Sequence, residues 1–260
     1  MQNASFATDL TDAQWEYLET MLPKPARTGR PPTPLRSVIN AILYLAKAGC
    51  HWHLLPKSFP PYKTIFHIFA KWSRTGVLSA IHDQLRAFAR EREGRRSRPT
   101  AAILDSQTVR SAGLAAETGY DAGKKTKGRK RFIMVDTLGH LLAVLVTPAD
   151  VQERDGGKEL LDDALQHHEW LRKLWVDGGY SGEEFANHVK DLRPKLEVEV
   201  VKRSDATQGF EILPRRWVVE RTFGWLMQCR RLVRDYERTV NSATAWIHIA
   251  MIRLMLRRLA

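Results

Sequence analysis

Three carboxylates stand at positions where an acid is costly to bury. Asp105 and Asp177 each end an apolar run typical of a strand, and Glu220 lies in a segment typical of a helix. A carboxylate at the end of a buried strand is expensive to desolvate unless cations or hydrogen bonds compensate its charge. Two strand ends and a helical Glu could hold two divalent metals about 3.5–4 Å apart, the arrangement for in-line attack on phosphodiesters.

The composition favours a polyanionic partner. The chain of 260 residues has 41 Lys and Arg against 29 Asp and Glu, a formal net charge of +12, and its pI is about 9.9. Ribosome-like and membrane-surface proteins can have a similar balance. Combined with the three carboxylates, this charge indicates that the phosphodiester is nucleic acid.

Other features favour a cytoplasmic protein without a membrane part. Cys50 and Cys229 are far apart and form no CxxC pair, which fits a reducing cytosol. The first residues have neither the basic start nor the apolar run of a signal peptide. The apolar segment 243–259 is interrupted by His and Arg, so we interpret it as a packed helix rather than a membrane span.

Residues 1–95 are predicted to form an all-helical domain. Amphipathic stretches alternate with breaks at Gly and Pro, and the first stretch follows a capping box at Thr11. Two of the helices, joined by a compact connection, suggest a helix-turn-helix whose second helix presents Lys63 and Lys71 to DNA. A plain helical bundle explains the same pattern equally well. The charged run 90–98 predicts the domain boundary.

Residues 96–260 are predicted to form an α/β domain. The pattern predicts five strands, at residues 101–104, 132–135, 140–147, 174–176 and 198–201. Helices follow the third, fourth and fifth strands. This order matches the ribonuclease H-like fold, a mixed five-stranded sheet flanked by helices in which the first and fourth strands are neighbours. Asp105 and Asp177 would then stand side by side at one sheet edge, facing the helix that carries Glu220.

Several motifs occur in a fixed order between about Leu10 and Leu259. They are the segments 105–109, 128–131, 175–180, 215–223, 230–232 and 235–237, with Trp52, Leu55 and Pro56 in the first half. Each motif alone is a weak signal. Together and in this order, they make the chain resemble the bacterial DDE transposases of the insertion-sequence-5 family.

The resemblance implies a function and a site. It identifies Asp105, Asp177 and Glu220 as a catalytic triad that binds two Mg²⁺ or Mn²⁺ ions per active site. It further implies double-stranded DNA as the partner, both as terminal inverted repeats and as target, and a homodimer in the DNA complex. Such a protein would associate with the bacterial nucleoid.

The chain departs from a pattern of the related insertion-sequence-4 group. That group has a Tyr, an Arg, the catalytic Glu and a Lys at fixed spacing. Arg216 stands four residues before Glu220 as that pattern requires, but Leu213 and Met227 occupy the Tyr and Lys positions. The resemblance therefore implies a phosphate contact for Arg216 and no role for the other two.

Two further groups of basic residues are candidates for DNA contact. The first group falls within eight positions and comprises Lys124, Lys125, Lys127, Arg129, Lys130 and Arg131. A run of charge usually means a solvated loop, but beside an active site for DNA we prefer phosphate binding. Arg230 and Arg231 belong to a second group at near-helical spacing, for which a solvated face is an equally good interpretation.

Two other polar clusters are better explained by structure than by chemistry. Asp136 also ends an apolar run, but Asp-Thr-Leu-Gly is a natural hairpin turn. Cys50, His51 and His53 have no second ligand pair at the spacing of a zinc finger, so a packed loop is the better interpretation.

Two other functions remain open at this point. One is a metal-dependent nuclease that cuts DNA without strand transfer. The other is a non-catalytic DNA-binding derivative of such an enzyme, against which the complete triad argues. Joining of a pre-cut terminal repeat to a target plasmid would separate transfer from cleavage.

Overall fold

The first part of the chain is helical, as predicted. The computed structural model describes residues 6–24, 31–201 and 214–260. Its first helices are α1 (Asp12–Glu19), α2 (Leu35–Ala48), α3 (Tyr62–Arg74) and α4 (Val77–Arg92). The capping box is confirmed, because the side chains of Thr11 and Gln14 each accept a hydrogen bond from the other's backbone N–H. A short 3-10 turn, Trp52–Leu54, lies between α2 and α3.

A single mixed sheet follows. Its strands are β1 (Ala101–Arg110), β2 (Gly119–Asp121), β3 (Thr126–Asp136), β4 (Leu141–Pro148), β5 (Lys173–Val176) and β6 (Glu197–Val200). β1 pairs antiparallel with β3 and parallel with β5. β4 pairs antiparallel with β3, and β6 pairs parallel with β5. The predicted contact between the first and fourth strands is thus confirmed as the β1–β5 pair, and the order is that of a ribonuclease H-like sheet.

The sheet differs from the prediction in strand number and length. It has six strands among the residues that the structure covers, because the short β2 pairs with the start of β3. β1 continues past residue 104 to Arg110, and β3 begins at Thr126 rather than at residue 132. Apolar periodicity predicts a strand only where its buried side chains are apolar. Residues 128–131 of β3 are buried but are Gly, Arg, Lys and Arg, and residues 105–108 of β1 are polar, so the pattern did not show these parts.

Helices cover both faces of the sheet. They are α5 (Glu153–His167), α6 (Glu183–Leu192), α7 (Pro214–Met227), α8 (Arg230–Val233) and α9 (Val240–Leu259). Successive residues of a strand point to opposite faces. Ala102 and Leu104 accordingly pack into one core with α5 and α6, while Ile103 packs into the other with α7, α9 and the N-terminal helices.

The N-terminal helices share their core with α9. The Trp246 ring of α9 lies 4.8 Å from the ring of Phe69 and 5.7 Å from that of Trp52, measured between centroids. Packing of this kind joins α3 and the segment before it to the C-terminal helix. The division of the chain at residue 95 and the helix-turn-helix both stay predictions.

In the segments that the structure describes, no helix combines the length and the apolar character that crossing a membrane requires.

Candidate active site

Asp105 in β1 and Asp177 directly after β5 lie at one edge of the sheet. β5 pairs with β1 only along residues 101–103, so Asp105 lies just beyond the last paired residue of β1. Asp177 directly follows β5, and its Oδ1 accepts a hydrogen bond of 2.9 Å from the backbone N–H of Gly179. Because β1 and β5 run parallel, their carboxyl ends meet at the same edge, where open α/β sheets bind their ligands.

Helix α7 brings a cation and a third acid to this edge. Buried Val219 and Phe223 fix α7 against the core. Arg216 Nη2 lies 3.9 Å from Asp177 Oδ2 and 3.7 Å from Glu220 Oε1. The spacing of four residues puts Arg216 and Glu220 on one face of the helix. The structure therefore brings the predicted triad and Arg216 to one place.

The pKa of Asp105 is raised to about 7. Burial is the main cause, because a desolvated carboxylate is more stable in its protonated form. A hydrogen bond of 2.7 Å from the backbone N–H of Ser106 opposes the shift. The charge of Asp177 raises the pKa, that of Arg216 lowers it, and that of Glu153 raises it again. The edge is thus short of positive charge.

The carboxylate of Glu153 approaches the same edge from the first turn of α5. Ser106 Oγ donates to its Oε1 over 3.2 Å. Its Oε2 lies where a Cβ on Gly179 would stand, and Asp177 Oδ1 is 3.1 Å from that position. We call Asp105, Glu153, Asp177 and Glu220, with Arg216 between two of them, the acidic edge.

Glu153 was not among the site residues predicted from the sequence. An acid in the first turn of a helix is common because it interacts well with the helix dipole, so its type carried no signal. Its position in the chain, in contrast, was a signal. β4 runs in the same direction as β1 and β5, and Glu153 is the first helical residue after β4 ends.

The donor atoms of the acidic edge suit a hard divalent cation. They are carboxylate oxygens, which Mg²⁺ and Mn²⁺ prefer as ligands. Within the described part of the chain, no three His, Cys, Asp or Glu side chains already form a metal site. Glu220 is directed toward Arg216, and half of its side chain is exposed. The assignment of metals to Asp105, Asp177 and Glu220 therefore stays a prediction.

Some of the basic residues predicted to bind DNA are exposed. They are Lys63, Lys71, Lys124, Lys125, Lys127 and Arg230. Lys125 and Lys127 line a cavity of about 450 Å³ together with Arg110 and Tyr120. These positions are accessible to a phosphate.

Arg129 and Arg231 are buried, which corrects their assignment to a DNA-binding surface. Arg129 is fully buried, and its Nη1 donates to Asp235 Oδ2 over 3.1 Å and to the Glu237 carbonyl over 3.0 Å. Arg231 Nη2 lies 2.7 Å from Glu237 Oε1. We call Arg129, Arg231, Asp235 and Glu237 the arginine network.

Lys130 and Arg131 need the same correction. Arg131 is 1% exposed and donates to the Leu232 carbonyl over 2.8 Å. Lys130 is buried and donates to the Val151 carbonyl over 2.6 Å. A run of basic residues that enters a strand alternates between faces, and here both faces are covered by helices and loops. The run therefore supplies three buried structural cations and three exposed lysines.

Asp136 is a turn residue, as predicted. It is fully buried and forms an ion pair with Arg90. Its Oδ1 accepts hydrogen bonds of 2.9 Å from the backbone N–H groups of Leu138 and His140. These partners compensate its charge inside the hairpin.

Of the two departures from the insertion-sequence-4 pattern, Leu213 lies outside the described residues, and Met227 ends α7.

A ribonuclease H-like sheet with one acid in β1, a second directly after the neighbouring β5, and a third on a later helix is typical of the DDE class of nucleic-acid enzymes. Comparison with known proteins agrees with this class. Residues 96–255 match the family described as "Transposase DDE domain". Residues 10–82 match "Putative transposase of IS4/5 family". The chain belongs to the bacterial DDE transposases of this combined IS4/5 family, which confirms the resemblance at that level.

Curated relatives are similar over part of the chain. A "Putative transposase for insertion sequence element IS402" from Burkholderia cepacia is 31% identical over 134 residues, which are 49% of this chain and 60% of the relative. An "Uncharacterized protein y4sN" from Sinorhizobium fredii is 31% identical over 83 residues, 32% of this chain and 64% of that protein. This chain thus spans less than two thirds of the length of both relatives.

Proposed function

We propose that this protein cuts and joins DNA at the ends of an insertion sequence by metal-dependent phosphoryl transfer. The observation that carries the proposal is the acidic edge. Asp105 and Asp177 reach it from neighbouring parallel strands, and α7 adds Arg216 and Glu220. Four acids beside one guanidinium destabilise a fold unless other cations compensate their charge. Such an excess of acids suits the binding of divalent cations and a phosphodiester.

Each side chain has a distinct part in this proposal. Asp105, Asp177 and Glu220 would hold two divalent ions, which would supply charge neutralisation and activation of the attacking oxygen. Arg216 binds a non-bridging phosphate oxygen and orients the scissile bond. Burial of Asp105 within β1 keeps its carboxylate away from bulk water, which would strengthen its interaction with a cation.

The substrate is double-stranded DNA, at the terminal inverted repeats and at a target. The net charge of +12 and the exposed lysines at positions 124, 125 and 127 support a polyanionic partner. On α3, the exposed Lys63 and Lys71 lie on a helix whose Ile65, Phe69 and Trp72 are buried, so this helix can present a basic face to a repeat. Two ends of one element call for two copies of the chain, hence a homodimer at the nucleoid.

The proposal is tested with purified full-length protein and labelled DNA that carries the inverted repeats flanking its gene. With Mg²⁺ and a target plasmid, we expect cleavage at the repeat ends and joined products. Asp105→Asn, Asp177→Asn and Glu220→Gln should each lower both reactions by at least about a thousandfold, because each metal contact supplies several kcal/mol of charge stabilisation. Binding of the repeat DNA should persist in all three variants.

One variant serves as a control, and each alternative function predicts a different result. Asp191→Asn changes an exposed acid at the end of α6 and should leave cleavage and joining unchanged. Cleavage without any joined product would indicate a metal-dependent nuclease instead. Repeat binding without cleavage by the wild-type protein would indicate a non-catalytic derivative. Near-normal turnover in one triad variant would remove that residue from the site.

A further inference from the structure

Glu153 occupies a position that the sequence around Asp177 leaves open for it. A Cβ on Gly179 would overlap Glu153 Oε2 and would stand 3.1 Å from Asp177 Oδ1. For the neighbouring Gly178, no atom of the described residues beyond its chain neighbours lies within 4 Å of the corresponding Cβ position. A side chain at position 179 would therefore displace the Glu153 carboxylate, whereas one at position 178 would meet none of these residues.

The approach of α5 to the sheet has the same effect. A Cβ on Gly156 would overlap the ring of Phe132, which lies in β3. A glycine inside a helix costs about 1 kcal/mol relative to alanine, and here it lets the first turn of α5 pack directly on the strands. That turn carries Glu153, whose Oε1 accepts a hydrogen bond from Ser106 Oγ.

A buried hydroxyl beside these acids lacks a partner. Tyr180 is 1% exposed, and among the described residues no group meets the geometry of a hydrogen bond with its hydroxyl, although Ser106 lies close. Asp105, Glu153 and Asp177 are the charged groups around it. A buried hydroxyl without a partner is rare in folded proteins. It indicates that the space among these three acids receives a ligand that can accept or share its hydrogen bond, such as a water molecule bound to a cation.

We propose that Glu153 is a further metal-binding carboxylate, which holds a divalent cation together with Asp177 and Asp105. This inference rests on the proposed function for the identity of the site, and it adds an acid outside the predicted triad. The competing explanation is that Glu153 only stabilises the start of α5 through the helix dipole. The two explanations predict different effects of a change at Glu153 on metal affinity and on stability.

The experiment measures binding of Mn²⁺ to the full-length protein without DNA, by titration calorimetry or by the spin-resonance signal of free Mn²⁺. Glu153→Gln should weaken binding by roughly tenfold or more, since even residues that only support a ligand contribute 10–100-fold to affinity. Gly179→Ala should weaken it similarly, because the added methyl displaces the Glu153 carboxylate. Two matched controls, Glu159→Gln on the exposed side of α5 and Gly178→Ala, should stay within about twofold of wild type.

Stability in EDTA separates binding from a structural role. Glu153→Gln removes repulsion within the acidic edge, so its thermal midpoint without metal should equal or exceed that of wild type. A lower midpoint combined with unchanged Mn²⁺ affinity would show that Glu153 only stabilises the helix. Lack of saturable Mn²⁺ binding by the wild type would also overturn the inference.

The inference and the proposed function can fail separately. If Mn²⁺ binding depends on Glu153 but the wild type neither cuts nor joins repeat DNA, only the function fails. If the wild type cuts and joins while Glu153→Gln binds Mn²⁺ normally, only the inference fails.

Discussion

The acidic edge and the arginine network are both built from buried or half-buried charges, but they differ in how those charges are balanced. In the network, Asp235 and Glu237 each face a guanidinium within 3.1 Å. At the edge, the residues that the structure describes supply one guanidinium within 4 Å, that of Arg216, at 3.9 and 3.7 Å from two of four acids. Matched pairs stabilise a fold, whereas a shortage of cations leaves room for a bound one.

This contrast explains why two kinds of motif occur in one sequence. The motifs at residues 230–232 and 235–237 contain Arg231, Asp235 and Glu237, which the structure assigns to the network. Arg231 also lies over the ring of Trp246, 4.6 Å from its centroid, a cation–π contact that adds to the packing. These motifs therefore stabilise the packing of α8 and α9 against β3.

The largest expected effect comes from breaking the network. Arg129→Met leaves Asp235 buried without its guanidinium, so we expect the free energy of unfolding to fall by about 3–5 kcal/mol. Urea denaturation at neutral pH measures this change. Arg230→Met, at an exposed position beside Arg231, is the control and should change stability by less than about 0.5 kcal/mol. Equal effects of the two substitutions would contradict a structural role for Arg129.

The next effect concerns the guanidinium of the acidic edge. Arg216→Lys keeps the charge but loses the paired hydrogen bonds that a guanidinium can make to a phosphate. Cleavage and joining should fall by about 10–100-fold, as expected for the loss of one strong hydrogen bond to a charged group. Stability in urea should stay near wild type, since the ion pairs of Arg216 are long and partly exposed.

Mn²⁺ affinity distinguishes the roles of Arg216. A phosphate contact predicts unchanged affinity in Arg216→Lys. A loss of affinity that matches the loss of activity would show instead that Arg216 positions Glu220 for the metal. Rescue of activity at high Mn²⁺ concentration would support the same conclusion.

The sequence predicted the elements whose pattern depends on burial from two sides. The β1–β5 pair and the positions of Asp105 and Asp177 follow from apolar runs that end in acids, and that of Glu220 follows from a helical segment. Short β2 and the polar halves of β1 and β3 have no such pattern, because backbone pairing forms them without an apolar face.

Side-chain environments were harder to predict than elements. Lys127 and Arg129 belong to one basic run, yet Lys127 is exposed and Arg129 is fully buried. Their difference depends on Asp235, which is distant in sequence and meets Arg129 only after folding. Glu153 was missed for the same reason, since Gly179 and Ser106 reach it from other elements.

A separate effect should appear in the pH dependence of stability. The folded pKa of Asp105 is about 7, above the usual value of about 3.9 in an unfolded chain. Between these values the folded state binds more protons, so the contribution of Asp105 to stability is full below pH 4 and is lost as pH rises through 7. Asp105→Asn does not titrate. Relative to wild type, it should therefore gain stability as the pH rises from 4 to 8, by up to about 4 kcal/mol.

Denaturation in EDTA at both pH values checks this, because other titrating groups cancel in the difference between variant and wild type. An equal difference at the two pH values would mean that Asp105 is ionised throughout. Addition of Mn²⁺ at pH 8 should stabilise wild type and leave Asp105→Asn nearly unchanged, since a bound cation would compensate the buried charge of the Asp105 carboxylate.

The smallest expected effect tests the exposed half of the basic run. Lys124, Lys125 and Lys127 lie on the surface, whereas Arg129 does not. If each lysine neutralises one phosphate, each Lys→Ala change should reduce the slope of log affinity against log salt by about 0.9 and lower affinity only severalfold. Fluorescence anisotropy with repeat DNA between low and moderate salt measures that slope. Lys190→Ala, at an exposed position of α6, should leave the slope unchanged. If none of the three substitutions alters the slope, the DNA binds to another surface. The exposed lysines would then no longer support a DNA substrate for the acidic edge.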